Sequence, residues 1–353
     1  MTFRAVGSTW GKWDLHFHTP ASFDYDKKNV TNMQIVEGLV AAAVEVVAIT
    51  DHHTMEVARI QELQTFGGEN LTVLPGIEFR SELGGNETVH YIGIFPEESN
   101  VADLWTKLSG KLELTAADLK KKGGDEKIYV PFTKGAETIR ELGGIVTVHA
   151  GKKTNSIENV GNTPKFKMEF KADLAKTHID ILELGRVRDQ KAYEEKVFPA
   201  IGHRLPLIMG SDNHDITTYR PKAACWIKGD PTFRTFQQLL SDPHRAYIGD
   251  EPPERVRIAA HPTKYIESIR FQKVTGSKLT EEWFDGLVPI NPGLVAIIGN
   301  KGGGKTALAE ALGLLGNCES ADSFSFLSAS KFRQSKNNKA REFEATLDGH
   351  VGK

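Results

Sequence analysis

The chain of 353 residues has little cysteine, no long apolar run and almost no net charge. Its two cysteines, Cys225 and Cys318, lie far apart and in no metal-binding or redox spacing. This excludes a disulfide framework and a thiolate metal site, and we expect a protein of the reducing cytoplasm. No apolar stretch approaches the ~18 residues that cross a bilayer, and no basic segment followed by an apolar run marks a signal peptide. We expect no membrane partner.

The formal net charge of -2 gives no overall attraction to nucleic acid, so such binding requires a local basic patch. With 39% hydrophobic and 25% charged residues, the composition is typical of a soluble globular protein and excludes wholesale disorder. The length is sufficient for one large domain and part of another.

One short stretch near the N-terminus, Trp13–Thr19, contains two closely spaced histidines. Its alternation of apolar and polar residues predicts a strand, on which His16 and His18 point to the same face. Two imidazoles on one face of a strand form a rigid pair of ligands for a metal ion of borderline softness. More motifs of the same kind follow, each at the end of a predicted strand.

Predicted strands and helices alternate over the next 200 residues. Repeated strand–helix units of this kind predict an α/β fold with a mainly parallel sheet that closes into a barrel. Residues 101–129 interrupt the rhythm as an exposed excursion. After the first strand, the predicted strands are 46–53, 71–79, 88–95 (after a turn at 84–86), 144–149, 179–184 and 205–214, and the predicted helices are 29–45, 55–66, 134–142, 166–177 and 190–200.

Titratable side chains collect at these strand ends, where a parallel barrel carries its catalytic groups. Seven of the twelve histidines lie in such motifs. Imidazole and carboxylate ligands without thiolate suit Zn, Mn or Fe, and the number of candidates predicts two or three divalent ions. The candidates are His16, His18, Asp51, His52, His53, Glu78, His90, His149, Glu183, Asp212 and His214.

The pattern resembles the PHP (polymerase and histidinol phosphatase) family of metal-dependent phosphoesterases over roughly residues 10 to 250. The motifs that carry the resemblance are 14–19, 49–52, 76–78, His90, His149 and 210–214, in this order. The resemblance implies a distorted seven-stranded (β/α) barrel with a trinuclear site.

The resemblance also implies a distribution of ligands. His16, His18, Glu78 and Asp212 would hold one ion, and Glu78, His90 and His149 a second. His52 and His214 would hold the third with an acidic or histidine residue from the segment after the first motif. The family usually places that residue where this chain has Phe23; we select Asp24, with Asp26 as the poorer alternative. If neither binds, the site is binuclear.

Three further residues are assigned to the site. Asp51 is a candidate for orienting a ligating histidine. Glu183 and Arg186 are expected to line the site, with Arg186 pairing substrate phosphate, although a surface ion pair explains these two equally well. His53 is not expected to bind metal, because neighbouring residues on a strand face opposite ways.

A second motif, 299–306, matches G-x-x-x-x-G-K-[ST] in full. We predict a strand over 294–298 before it and a helix from about Ala307 after it. Backbone N–H groups of such a loop cradle phosphates, Lys305 reaches the β and γ phosphates, and Thr306 holds Mg²⁺, so the cofactor is ATP with Mg. The predicted nucleotide-binding residues are Gly299, Asn300, Gly302, Gly303, Gly304, Lys305 and Thr306.

The clearest linker is 249–254, with two prolines and three carboxylates. We assign residues 1–250 to the phosphoesterase barrel and 251–353 to the first part of an incomplete P-loop ATPase. The approach 291–299 resembles ATPases of the SMC and ABC type. The combination resembles large bacterial proteins that pair a PHP nuclease-like domain with an SMC-like ATPase, which implies DNA processing or defence and a homo-oligomer formed through the ATPase part.

These features favour a metal-dependent nuclease whose partners are nucleic acid, with DNA favoured over RNA, and ATP. A group of lysines after the His149 strand supports this if it tracks a phosphate backbone; a solvated face is the equal alternative. The other hypotheses are a small-molecule phosphomonoesterase of the histidinol-phosphatase kind and a non-catalytic scaffold on a DNA-binding ATPase. The lysines are Lys152, Lys153, Lys165, Lys167 and Lys171.

Overall fold

The computed structural model describes residues 6–82, 88–122, 127–159, 172–221, 223–280, 285–318, 323–334, 336 and 339–349. They form two compact units, one over Trp10–Pro252 and one from Pro253 onward that includes residues 6–9. The boundary falls within the 249–254 segment. The turn at 84–86, the first part of the helix at 166–177, and Lys165, Lys167 and Lys171 lie outside the described residues.

A nine-stranded sheet in the order β7-β6-β5-β4-β3-β2-β1-β8-β9 forms the centre of the first unit. Each strand predicted for this unit is present, but the one predicted over 205–214 is reduced to the two residues of β7, and the sequence does not predict β8 and β9. The strands are β1 (Trp10–Phe17), β2 (Val44–Ile49), β3 (Thr72–Glu82), β4 (Thr88–Ile94), β5 (Ile145–Ala150), β6 (Ile181–Leu184), β7 (Leu207–Ile208), β8 (Cys225–Lys228) and β9 (Ala246–Ile248).

The sheet is mixed and nearly closed. Neighbours from β1 to β3 and from β5 to β7 are parallel, whereas β4 is antiparallel to both β3 and β5. The segment after β7 returns to the end of β1, where Phe17 and Asn213 form a parallel bridge. The N-terminal half of β1 pairs instead with β8. The nine-stranded sheet is thus barrel-like and nearly closed, with the antiparallel pair β8 and β9 beyond β1.

Helices follow most strands, as predicted. α1 begins with a capping box, in which Thr31 accepts from the Gln34 N–H and the Gln34 side chain accepts from the Thr31 N–H. The helices are α1 (Asn32–Ala41), α2 (Val57–Gly67), α3 (Val101–Leu112), α4 (Ala116–Lys122), α5 (Phe132–Glu141), α6 (172–177), α7 (Asp189–Ala192), α8 (Phe198–Ile201, joined to α7 by a π-helical turn) and α9 (Phe233–Gln238).

Two apolar clusters lie on opposite faces of the sheet. Along β2, Val47 and Ile49 belong to the cluster shared with the surrounding helices, whereas Val46 and Ala48 belong to the cluster of strand residues covered by α9. This alternation is the two-residue period of a strand buried on both faces. The inner cluster fills the barrel below the candidate site.

The second unit contains α10 (Pro253–Ala260), β10 (Ile266–Lys273), β11 (Gly286–Pro289), α11 (Lys305–Leu315) and β12 (Phe343–Gly349). Its sheet has the order β11-β10-β12. The predicted helix after the glycine-rich loop is present as α11.

The strand predicted over 294–298 is wrong. These residues adopt no regular structure, and Leu294 is 97% exposed and Ile298 87% exposed. An apolar run forms a buried parallel strand only between neighbouring strands, and none of the described strands of this unit pairs with it.

No described helix combines the length and the apolar character that crossing a membrane requires.

Candidate metal centre

The nine predicted metal ligands converge at one end of the barrel. His16, His18 and His149 reach it from the carboxyl ends of β1 and β5, and His52 and 212–214 reach it from the segments after β2 and β7. Glu78 reaches it from the second half of β3. His90 stands near the start of β4, and it reaches the same edge because β4 runs antiparallel to its neighbours. We call these residues the metal cluster: His16, His18, Asp24, His52, Glu78, His90, His149, Asp212 and His214.

The first group of the cluster joins two imidazoles and two carboxylates. The Nε2 atoms of His16 and His18 lie 3.0 Å apart. Glu78 Oε2 lies 3.1 Å from His16 Nε2 and 3.2 Å from His18 Nε2, and Asp212 Oδ1 lies 3.3 and 3.4 Å from the same two atoms. Four ligand atoms at such separations surround one point, as the ligands of a single ion do at about 2.0–2.2 Å.

Glu78 links this group to a second one. Its other oxygen, Oε1, lies 2.6 Å from His90 Nδ1 and 3.5 Å from His149 Nε2. The carboxylate is 1% exposed and each of its oxygens faces a different set of imidazoles. This is the arrangement of a carboxylate that bridges two ions.

The third group decides between the two aspartates left open by the sequence. Asp24 Oδ2 lies 3.1 Å from His52 Nε2 and 3.3 Å from His214 Nε2. His18 stacks on His214 with ring centroids 4.0 Å apart and completes this group. Asp26 is exposed and its backbone N–H donates to the carbonyl of His214. The structure therefore brings Asp24, and not the Asp26 side chain, to the cluster.

Glu183 lies behind the first group. Its carboxylate oxygens are both 3.0 Å from His16 Nδ1, and Oε2 is 3.7 Å from His149 Nε2. A carboxylate on the far nitrogen of a ligating histidine fixes the tautomer and the ring orientation. Lys153 lies beside it: Nζ donates to Glu183 Oε1 and is 3.4 Å from Asp212 Oδ2.

Lys153 fits neither alternative given for the lysine group, a phosphate-tracking rim or a solvated face, since its side chain is only 9% exposed. The loop after β5 folds it inward. Gly185 permits this, because a Cβ there would lie 2.7 Å from the Lys153 Cα. Its neighbour Lys152 is exposed, as predicted for the group.

The same loop supports two further imidazoles. His149 Nδ1–H donates to the carbonyl of Thr154 at 3.0 Å, which turns Nε2 toward Glu78. The Asn155 amide lies 2.9 Å from His90 Nε2, and the Asn155 carbonyl accepts from the His90 N–H at 2.9 Å. Three consecutive residues of this loop thus contact the cluster from behind.

Burial and charge oppose each other throughout the cluster. Burial disfavours charge on His18, but the carboxylates of Asp212 and Glu78 outweigh it and raise the pKa of this imidazole to about 9. Burial also disfavours the anion of Glu78, yet the imidazoles of His16 and His18 hold its pKa well below the usual range. In the metal-free protein, protonated imidazoles supply the positive charge that compensates these carboxylates.

Burial and charge also oppose each other at Lys153, which lies behind the first group. Burial opposes the charge of Lys153, but Glu183 and Asp212 raise its pKa, so the ammonium persists. Burial, reinforced by this ammonium, lowers the pKa of His149 to about 3. His149 is therefore neutral, which is the state in which an imidazole binds metal.

The residues present fit divalent metal ions. The donor set is imidazole and carboxylate without thiolate, as Zn, Mn and Fe sites use. The buried ring nitrogens His149 Nε2 and His214 Nε2 make no hydrogen bond of good geometry, and they face carboxylate oxygens at 3.5 and 3.3 Å. Each faces the carboxylate of its own candidate ligand group, so a bound ion would satisfy a nitrogen that is costly to leave without a partner.

Asp51 does not meet the expectation, and the role of Arg186 toward substrate phosphate stays a prediction. Asp51 makes its hydrogen bonds to the N–H and the hydroxyl of Thr19, both at 2.7 Å, so it anchors the turn after β1 and orients no described histidine ring. Arg186 is exposed, and no described hydrogen bond or ion pair joins its side chain to the cluster. His53, as predicted, lies outside the ligand groups.

Sequence reasoning missed Ser22, which is fully buried beside the cluster. Its hydroxyl donates to Asp24 Oδ1 at 2.9 Å and lies 3.2 Å from His18 Nδ1. It thereby orients one ligand of each of two groups. Serine in a turn after a strand is common, and only its position between two candidate ligands offered a signal.

No protein-family model matches the chain, and no curated protein matches it. Solved structures do. A two-domain protein from Bacteroides vulgatus that contains a predicted PHP-like metal-dependent phosphoesterase shares 13% identity at a TM-score of 0.48, over 82% of this chain and 86% of that one.

Two other solved structures are similar over 65% of this chain. A candidate metal-dependent phosphoesterase from Bifidobacterium adolescentis has 16% identity and a TM-score of 0.41, with 96% of its own chain covered. PsfC from Pseudomonas syringae has 13% identity and a TM-score of 0.38, with 88% covered. These are similarities of fold at low identity, and the chemistry proposed below rests on the side chains of this chain.

Proposed function

We propose that the first unit is a metal-dependent phosphoesterase that hydrolyses phosphodiester bonds of nucleic acid. One observation carries the proposal: the buried Glu78 carboxylate directs Oε2 at His16 and His18 and Oε1 at His90. These residues would hold divalent ions side by side, and such ions would supply the metal assistance that phosphoryl transfer uses.

Divalent ions, when bound, supply a nucleophilic water at neutral pH and neutralise the phosphoryl oxygens. The residues of the chain hold the ions and set their surroundings. Glu183 keeps the His16 ring in orientation, and Lys153 keeps one oxygen of Asp212 engaged while the other faces the histidines.

No side-chain nucleophile competes with this chemistry at the described site. The hydroxyl of Ser22 contacts two candidate ligands, but the residue is 0% exposed and the hydroxyl is engaged by Asp24 and His18. Attack by water is therefore the reaction that the geometry supports.

Nucleic acid as the substrate class is supported by the resemblance of the motifs and by the P-loop sequence that follows the barrel. The lysine group supports it less than the sequence suggested, because Lys153 is buried among carboxylates and three members lie outside the described residues. DNA is preferred to RNA on the resemblance alone.

The test incubates the protein with Mn²⁺ and two substrates in parallel, an end-labelled single-stranded oligonucleotide and p-nitrophenyl phosphate. The double variant His16→Ala/Asp212→Ala controls for contaminating nucleases. Oligonucleotide cleavage that the variant lacks supports the proposal, and the product ladder shows the direction of cleavage.

Turnover of the phosphomonoester alone would replace the proposal with a small-molecule phosphatase. Absence of both activities in protein without bound metal by elemental analysis would favour the scaffold hypothesis. Absence of both in protein that does hold metal would overturn hydrolysis by the barrel as tested.

We also propose that 299–306 binds the phosphates of ATP. The loop is folded around Lys305, whose Nζ donates to the carbonyls of Gly299 at 2.8 Å and Asn300 at 2.9 Å. Gly302 and Gly304 adopt φ of 87° and 81°, which glycine alone adopts at low cost. ATP binding by calorimetry with Mg²⁺, abolished by Lys305→Ala and retained in Lys301→Ala, tests this; equal binding by both variants would contradict it.

A further inference from the structure

Three side chains that bind no metal in the scheme above meet at the rim of the metal cluster. They are Phe23, His53 and Arg80, and each stands within two positions of a candidate ligand on its own segment. They form a connected set, because Arg80 contacts both of the others.

His53 is the buried member of this set. It is 1% exposed, packs near Phe79 with ring centroids 6.1 Å apart, and adopts φ of 55°. This left-handed conformation is unfavourable for a residue with a Cβ, and such conformations concentrate at functional sites. Its Nε2 accepts a hydrogen bond from Arg80, because the arginine side chain has donors only.

Arg80 is oriented by that hydrogen bond. Its Nε donates to His53 Nε2 at 3.2 Å, and its Cζ lies 5.5 Å from the centroid of the Phe23 ring. A guanidinium at this distance from a ring is held by cation–π attraction. The hydrogen bond and the ring contact together fix the position of the guanidinium beside Phe23.

Phe23 joins this arginine to the ligands. Its ring centroid lies 5.3 Å from that of His52, with 35° between the planes. Phe23 and Arg80 are both partly exposed, whereas His52 and His53 are buried. The rim therefore presents one cation and one aromatic ring to solvent immediately beside a metal group.

We propose that Phe23 and Arg80 form a subsite for the nucleotide next to the scissile bond. Arg80 binds the neighbouring phosphate, which is not hydrolysed, and Phe23 packs against its base. Guanidinium groups match phosphate geometry, and aromatic side chains stack on bases of single strands. The inference rests on the proposed function and extends it, because a phosphomonoester offers neither a second phosphate nor, in general, a base.

The experiment compares a 5′-phosphorylated single-stranded tetranucleotide with bis(p-nitrophenyl) phosphate in Mn²⁺. Stacking of one base is worth enough to change binding by about fivefold or more, so Arg80→Gln and Phe23→Leu should each raise KM for the tetranucleotide at least about fivefold more than KM for the small diester. A matched control is Arg204→Gln, because Arg204 also lies over a phenylalanine, Phe198 at 5.9 Å, and pairs with Glu194. This control should change KM for neither substrate.

Metal content separates a substrate contact from a structural role. Equal losses on both substrates, or loss of bound metal in both rim variants, would place these residues in support of the cluster and overturn the subsite. Unchanged constants for both substrates would overturn it as well.

Binding of a phosphorothioate tetranucleotide, followed by fluorescence anisotropy, separates this inference from the proposed function. If the wild-type protein hydrolyses nothing, the proposed function fails, yet weaker binding by the rim variants than by Arg204→Gln still supports the subsite. Equal binding by all proteins overturns it.

Discussion

Glu78 and His90 lie twelve positions apart, and their side chains meet with Oε1 2.6 Å from Nδ1. The contact exists because β3 and β4 form an antiparallel pair in which His90 lies opposite Arg80, two residues beyond Glu78 on the same face of the sheet. The β3–β4 pair thus places His90 at the same end of the barrel as Glu78.

Glu78→Gln tests the bridging role. An amide cannot provide two anionic oxygens, so we expect loss of bound metal and a fall in hydrolysis of about 1,000-fold or more, because several kcal/mol of transition-state stabilisation depend on the ions. Elemental analysis and steady-state kinetics provide the measurements. Glu82→Gln, at the exposed end of the same strand, is the control and should retain both properties. Full metal content in Glu78→Gln would contradict the assignment.

Lys153→Met removes an ammonium that lies between Glu183 and Asp212. Removing one partner of a buried ion pair costs about 3 kcal/mol, so the free energy of unfolding of the metal-free protein should fall by roughly this amount. The metal-loaded protein should lose less, because bound cations compensate the same carboxylates. Urea unfolding with and without Mn²⁺ measures both values.

Lys152→Met is the matched control for this prediction, since Lys152 is exposed and contributes only its backbone N–H to Asp189. An equal loss of stability with and without metal would show that Lys153 has no electrostatic role in the cluster.

The stability of the metal-free protein should depend on pH through His18. Its pKa is raised from 6.5 to about 9, so the stabilisation is fully present below pH 6.5 and disappears as the pH rises through about 9. Metal binding has the opposite dependence, because ligating imidazoles must lose their protons. Over this window the Tm of the metal-free protein should fall while the increase in Tm caused by Mn²⁺ grows.

Differential scanning fluorimetry of the metal-free and metal-loaded proteins across the window measures both trends. In His18→Asn the alkaline fall of the metal-free protein should be reduced, whereas His203→Asn, at an exposed position, should behave like wild type. Parallel curves for metal-free and metal-loaded wild-type protein would disprove the linkage.

Gly210→Ala should disrupt the cluster without changing a ligand. A Cβ at this position would lie 2.3 Å from the His16 Cβ and 3.1 Å from the His16 backbone nitrogen. The strand ends of β1 and β7 must therefore separate, and we expect lost metal and a lower Tm. Gly110→Ala is the control: no atom lies within 4 Å of its added Cβ, and alanine is worth about 0.5–1 kcal/mol more than glycine inside a helix.

The sequence predicted the strand–helix order of the first unit because its strands carry continuous apolar runs and end at turn residues. It also predicted which side chains would gather, since ligands at strand ends require only that the sheet close. The structure brings together all nine side chains named as metal ligands. It contains the three predicted groups, with His18 added to the third, and a fourth group that joins Glu183 to His16 and His149.

Period-two alternation, however, does not describe β1. Trp13 and Leu15 belong to the inner cluster, Phe17 to the outer one, and the pairing with β2 shifts between Asp14 and Phe17. An irregularity of this kind rotates the strand by one side chain, and it lets apolar residues fill the barrel while His16 and His18 face the site above it.

The amino-acid sequence by itself determined the identity of the ligands, the order of the elements and the glycine-rich loop, because these depend on residue type and local spacing. Only the tertiary structure decided that Asp24 enters the site, that Lys153 turns inward beside Glu183, that Asp51 anchors a turn, and that 294–298 forms no strand. Those outcomes depend on which segments lie next to one another, and burial, hydrogen bonding and strand pairing are settled by such neighbours and not by local pattern.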